Sequence, residues 1–85
     1  MLKIKDNVDF EELERFGYYE NKPFNHIKVL VDTEIRYDAI VVDIKTKKIE
    51  RIIKEIYMKE IKCKKVCEKY IQDLIQAGLV EKEEK

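Results

Sequence analysis

The sequence predicts a single α+β domain: a short N-terminal helix, a three- or four-stranded antiparallel sheet, and a long C-terminal amphipathic helix packed on one sheet face. Three observations predict it. A capped apolar stretch begins near Val8, two β-branched runs occupy the centre (His26 to Asp32 and Tyr37 to Ile44), and apolar residues recur at i, i+3, i+4 and i+7 from Cys63 to Ile75. With 85 residues there is room for one core, and 45% hydrophobic residues are enough to build it. Only two Gly and one Pro argue against a linker. The expected domain spans residues 1–80, with 81–85 as a charged C-terminal tail.

The first element follows from Asp6-Asn7-Val8-Asp9, where Asn7 or Asp9 can accept from the free N–H groups of a helix start, and Glu11 and Glu12 complement its dipole. Phe10, Leu13 and Phe16 share one face, and Gly17 supplies a left-handed stop, which places the helix at residues 8–16. Tyr18-Tyr19-Glu20 then reads as a short edge strand, and Asn21-Lys22-Pro23 as a turn. Partial alternation through His26 to Asp32 puts Ile27, Val29 and Val31 on one side and Asp32, His26, Lys28 and Leu30 on the other, the face left open for binding. These last three form the candidate protein interface.

Lys45 to Lys48 is a polar turn after the run YDAIVVDI, so Ile49 to Ile53 is expected as the return strand of a hairpin. Ile49, Ile52, Ile53 and Ile56 also fit a helix starting near Lys48, which would cost the sheet a strand. The C-terminal helix carries Cys63, Val66, Cys67, Tyr70, Ile71, Leu74 and Ile75 on its apolar stripe and ends at Gly78, with Leu79 and Val80 able to fold back on its last turn.

Charge is balanced overall but unevenly spread. Residues 1–43 carry 6 Lys/Arg against 10 Asp/Glu, residues 44–69 carry 10 against 4, and residues 70–85 carry 2 against 4. The middle block alone could attract a polyanion, and its candidate phosphate contacts are Lys47, Lys48, Arg51, Lys62, Lys64 and Lys65. Glu50, Glu55, Glu60 and Glu68 are interleaved with these cations, which suits a solvated face as well.

The chemistry available is narrow. The chain has one His, no Ser and two Thr, so a Ser-His-Asp site is excluded, and Cys63 and Cys67 read as packing residues on the helix stripe. Two Cys and one distant His lack the four-ligand spacing of structural zinc, and neither glycine begins a phosphate-cradling loop. The expectation is therefore no enzyme, no cofactor and no metal. The start of the chain shows no signal-peptide pattern and no run reaches the ~18 apolar residues of a membrane span, so the expected setting is the cytoplasm, with no membrane contact. A domain this small gains stability from association, so a homodimer is an expected state.

Lys3-Ile4-Lys5-Asp6-Asn7-Val8-Asp9 with Glu11 to Gly17, together with Asp73-Leu74-Ile75-Gln76-Ala77-Gly78-Leu79-Val80-Glu81-Lys82, resembles the ends of small uncharacterised proteins encoded in prophages and mobile elements of Gram-positive bacteria. The likeness covers about a third of the chain, and its motifs are structural. It implies an accessory factor that modulates or inhibits a host protein. The function expected is thus a non-catalytic protein-binding module, with a nucleic-acid-associated protein using the basic block Lys45–Lys69 as the alternative.

Overall fold

The computed structural model describes residues 2–21, 25–57 and 62–82, with 62–64 as backbone. Strands dominate it. Five of them form an antiparallel meander in chain order: β2 (Tyr19–Asn21), β3 (Asn25–Asp32), β4 (Arg36–Asp43), β5 (Ile49–Glu55) and β6 (Lys62–Lys65). A separate two-stranded ribbon pairs β1 (Leu2–Ile4) with β7 (Val80–Lys82), in the register Leu2–Lys82, Lys3–Glu81 and Ile4–Val80. The ribbon is tied to the meander by a bridge from Lys3 to Lys48 and by the Ile4 N–H donating to the Lys47 carbonyl at 2.9 Å.

The N-terminal helix forms where its cap and stop predict, but as a 3-10 helix over Phe10–Phe16. Its apolar residues explain the change of type: Phe10, Leu13 and Phe16 repeat every three residues, the period at which 3-10 side chains stack in one line. Asp9 caps it by accepting from the Glu11 N–H at 3.0 Å. At its end Gly17 adopts φ 91°, with the Gly17 and Tyr18 N–H groups donating to the Glu14 and Leu13 carbonyls. Gly78 (φ 75°) closes the other helix in the same way, through Gly78 to Ile75 and Leu79 to Leu74. This paired pattern requires a left-handed residue, which glycine supplies without Cβ strain.

The long C-terminal helix is not present, and the α+β reading gives way to a mostly β protein. Lys62–Lys65 pairs with β5 as β6, in the register Glu50–Lys65 to Ile53–Lys62. Helical structure resumes as a 3-10 turn, Glu68–Tyr70, and a single α-helix, α1 (Gln72–Gln76). Cys, Val, Tyr and Ile, which make up most of the predicted stripe, are weak helix formers, whereas β5 offers a full row of backbone groups to a neighbouring strand. The apolar spacing from Val66 to Leu74 is met by two short helical pieces instead. Two residues of the expected tail, Glu81 and Lys82, are likewise strand. The hairpin reading of Ile49 to Ile53 matches β5, and the helical alternative there does not. The turn expected at Lys22 and Pro23 lies outside the described residues.

Asp43 shapes the β4–β5 turn: its Oδ1 accepts from the Lys45 and Thr46 N–H groups, both at 2.8 Å, and these bonds hold its carboxyl below the usual carboxylate range. The register between β3 and β4 shifts between Val29 and Val31, leaving Leu30 as an extra residue. This bulge resets the alternation, so Val31 pairs with Asp38 and Asp32 with Tyr37.

The core lies between one face of the meander and a layer of short elements. Ile40, Val42 and Ile49 come from the sheet, Leu13 and Tyr18 from the 3-10 helix and its exit, Val66, Ile71, Leu74 and Leu79 from the C-terminal segment, and Leu2 and Ile4 from β1. Phe10, Phe16, Leu30 and Tyr70 pack around this cluster.

Candidate interaction surfaces

Cross-strand pairing decides which side chains share a face. His26 lies opposite Val42 and Lys28 opposite Ile40, so both lie on the core side of the sheet, and Leu30 packs against the same cluster. The interface expected at His26, Lys28 and Leu30 is therefore on the covered face. His26 is buried and stacks on Phe10, with ring centres 4.5 Å apart, and its Nδ1 has no hydrogen-bond partner among the described residues. Lys28 lies over the Tyr18 ring at 5.7 Å and reaches Asp73 at 3.4 Å. Tyr18 is buried beneath it with its hydroxyl unpaired among the described residues; burial, reinforced by the charge of Asp73, raises its pKa.

Among the described side chains of the basic block, Arg51 and Lys47 turn into the fold. Arg51 stands opposite Ile40 and turns to the core side, where its Nε donates to Asp38 Oδ1 at 2.9 Å and its second guanidinium nitrogen bonds Asp38 Oδ2. The guanidinium also stacks on Tyr70, 4.4 Å from the ring centre. Arg36 adds a third bond to Asp38 Oδ2 at 3.2 Å. Asp38 is 2% exposed, and its hydrogen bonds from Arg51 hold its carboxyl below the ordinary carboxylate range in spite of burial. Lys47 spends its Nζ on the Asp6 carbonyl at 2.8 Å and lies over Phe10. Lys48 is in the bridge to Lys3. Lys62, Lys64 and Lys65 lie together on β6 at the edge of the meander.

The other sheet face is apolar but largely self-covered, with Ile27 and Ala39 buried, whereas one end of the meander leaves large apolar side chains exposed. Register places Ile27, Val29, Ala39, Val41 and Ile52 on the face away from the core, with Tyr19 at its border, 52% exposed. At the end of the sheet, the turn between β3 and β4 is closed by the Thr33 N–H donating to the Arg36 carbonyl at 2.8 Å, which presents Ile35 at 64% exposure. The Ile56 N–H donates to the Ile35 carbonyl at 2.9 Å, so Ile56 (71%) and Tyr57 (77%) stand beside it. A shallow hollow of about 130 Å³ runs between Ile35, Tyr37, Lys54 and Ile56. Ile35 had a signal in the sequence, as the one large apolar residue in the polar stretch Asp32 to Arg36. Ile56 and Tyr57 had none, because their place beside Ile35 depends on hairpin register.

Asp38 is enclosed by two guanidinium groups and serves as the counter-ion of Arg36 and Arg51. Cys67 is a free, exposed thiol. Among the described residues no group of three or more His, Cys, Asp or Glu is placed to hold a metal ion, and no helix is long and apolar enough to cross a membrane. Comparison with protein-family models, curated proteins and solved structures finds no match.

Proposed function

We propose that this chain is a non-catalytic protein-binding module that docks through the sheet end formed by Ile35, Ile56 and Tyr57, in the accessory role implied by its terminal resemblance. The observation that carries the reading is that three large side chains, each more than three-fifths exposed, lie at one end of the sheet, where a backbone hydrogen bond joins Ile35 to Ile56 and Tyr57 follows in the chain. Apolar surface grouped in this way favours burial by a partner, and tyrosine brings contact area with little loss of rotamer freedom. The phosphate-binding alternative is weakened because Arg51 and Lys47 are engaged within the fold.

The test uses the tagged chain and a nuclease-treated host lysate, comparing the natural sequence with the triple variant Ile35→Ser, Ile56→Ser, Tyr57→Ser. A protein captured by the first and lost by the second, with both unfolding at the same urea concentration, supports the reading. Equal capture by both chains, or capture seen only from lysate left without nuclease, overturns it.

A further inference from the structure

The two outer strands of the meander differ in chemistry. β2 carries Tyr19, Glu20 and Asn21, whereas β6 reads Lys-Cys-Lys-Lys. β6 is the last strand of its sheet, with β5 on one side and no strand on the other among the described residues. Its pairing with β5 runs without a register shift from Glu50–Lys65 to Ile53–Lys62, and it contains no proline. Two of the devices that close an edge to further pairing, a bulge and a proline, are therefore absent. Charge remains, and it is selective: antiparallel pairing of two β6 edges would set lysines against lysines, which is destabilising, while a strand bearing carboxylates meets the opposite charge at the same positions.

Where β6 ends, the edge continues into a groove of about 310 Å³ lined by Leu2, Lys65, Val66, Glu68 and Lys82. Leu2 and Val66, both buried, give it an apolar floor, and Lys65 and Lys82 are exposed on its flanks, with one carboxylate, Glu68, between them. An extended segment alternates its side chains with period two, so it can present backbone and acidic groups to β6 and an apolar group to this floor.

We propose that the outer edge of β6 takes up an acidic, extended peptide segment of a partner protein as a sixth strand of the meander. This site is separate from the apolar sheet end and shares with that reading only the class of partner, so variants at Ile56 and Tyr57 tell the failure of one from the failure of the other.

The probe is a synthetic peptide of about eight residues alternating Glu and Val, titrated into the chain while amide hydrogen exchange is followed residue by residue. At saturation, exchange at Lys62–Lys65 is expected to slow by at least about tenfold. A peptide of identical charge, N-methylated at alternate residues so that it cannot pair, should bind at least about tenfold more weakly. The charge-reversed chain Lys65→Glu, Lys82→Glu should lose affinity to a similar degree, and the Ile56→Ser, Tyr57→Ser chain should keep it. Equal binding of the N-methylated peptide would reduce the effect to charge attraction and overturn strand addition. Equal protection by oligothymidylate would assign the edge to phosphates, concentration-dependent protection without peptide would assign it to a second copy, and absence of protection at millimolar peptide would leave it closed; each of these refutes the proposal.

Discussion

Replacing Asp38 by alanine removes the acceptor of three charge-assisted hydrogen bonds, two from Arg51 and one from Arg36. Breaking a buried pair from one side costs about 3–5 kcal/mol, because the remaining charge stays in the protein without its partner. Here the two cations differ. The Arg51 side chain is 16% exposed and fixed over Tyr70, so it cannot leave, whereas that of Arg36 is 40% exposed and can turn to water. The expected loss therefore falls at or just below the low end of that range, about 2–3 kcal/mol, out of a total of about 4–13 kcal/mol for a domain of this size. With an m-value of about 1 kcal/mol/M, the urea midpoint should fall by about 2–3 M at unchanged slope. Adding Arg51→Met should restore at least about half the loss, since an apolar side chain of similar length removes the orphaned charge. The pH dependence has a definite sign. Because Arg51 depresses the carboxyl pKa in the folded state, the stabilisation is full above the unfolded value of about 3.9 and is lost as pH falls through the lower folded value. The gap between natural and Asp38→Ala chains should thus be constant at neutral pH and close in acid. A midpoint shift below about 0.5 M would show that Arg51 finds another partner at little cost, and would refute the reasoning.

Tyr18→Phe deletes a buried hydroxyl that has no partner among the described residues and should raise stability by about 0.5–1 kcal/mol, read as a higher Tm; a loss of similar size would show the hydroxyl to be bonded. Gly17→Ala places a Cβ at φ 91° and 3.4 Å from the Lys28 Cε, whereas Gly78→Ala, at φ 75°, meets nothing within 4 Å. Each should cost about 1–2 kcal/mol in urea unfolding, Gly17→Ala the more, and a reversed order would mean that the Lys28 stem moves aside freely. Leu74→Ala empties a fully buried position in the core cluster and should cost about 3 kcal/mol by the same measurement; under 1 kcal/mol would show a core that collapses around the gap.

How much of this was legible in the sequence depended on whether the deciding contact was local. β3, β4 and β5 announce themselves through β-branched runs with polar turns between them, and Asp9 and Gly17 mark the ends of a helix in their immediate surroundings. The sidedness of Leu30 could not be read in the same way. Alternation groups it with His26 and Lys28, but which of the two faces is covered is set by the pairing of β3 with Ile40 and Val42 of β4. Lys62–Lys65 is compatible with both a helix and a strand, and the unpaired side of β5 makes the choice. Leu2–Ile4 is too short to carry a period, and the strand that makes it one lies some eighty positions along the chain. The candidate surface divides similarly: Ile35 stands out within a polar turn, while the closeness of Ile56 follows from hairpin register.

The pairing of β1 with β7 sets an order of events during synthesis. Leu2 and Ile4 are made before the rest of the described fold, yet Ile4, fully enclosed in the finished fold, gains its ribbon partner only when Val80 to Lys82 have been made. The hairpins of the meander can form while the chain is still growing, because each needs only its sequence neighbour. The core beneath them stays incomplete over that interval: Leu13 and Tyr18 are already made and can cover part of the meander's apolar side, while Val66, Ile71, Leu74 and Leu79 reach it only at the end, together with the strand that pairs with β1.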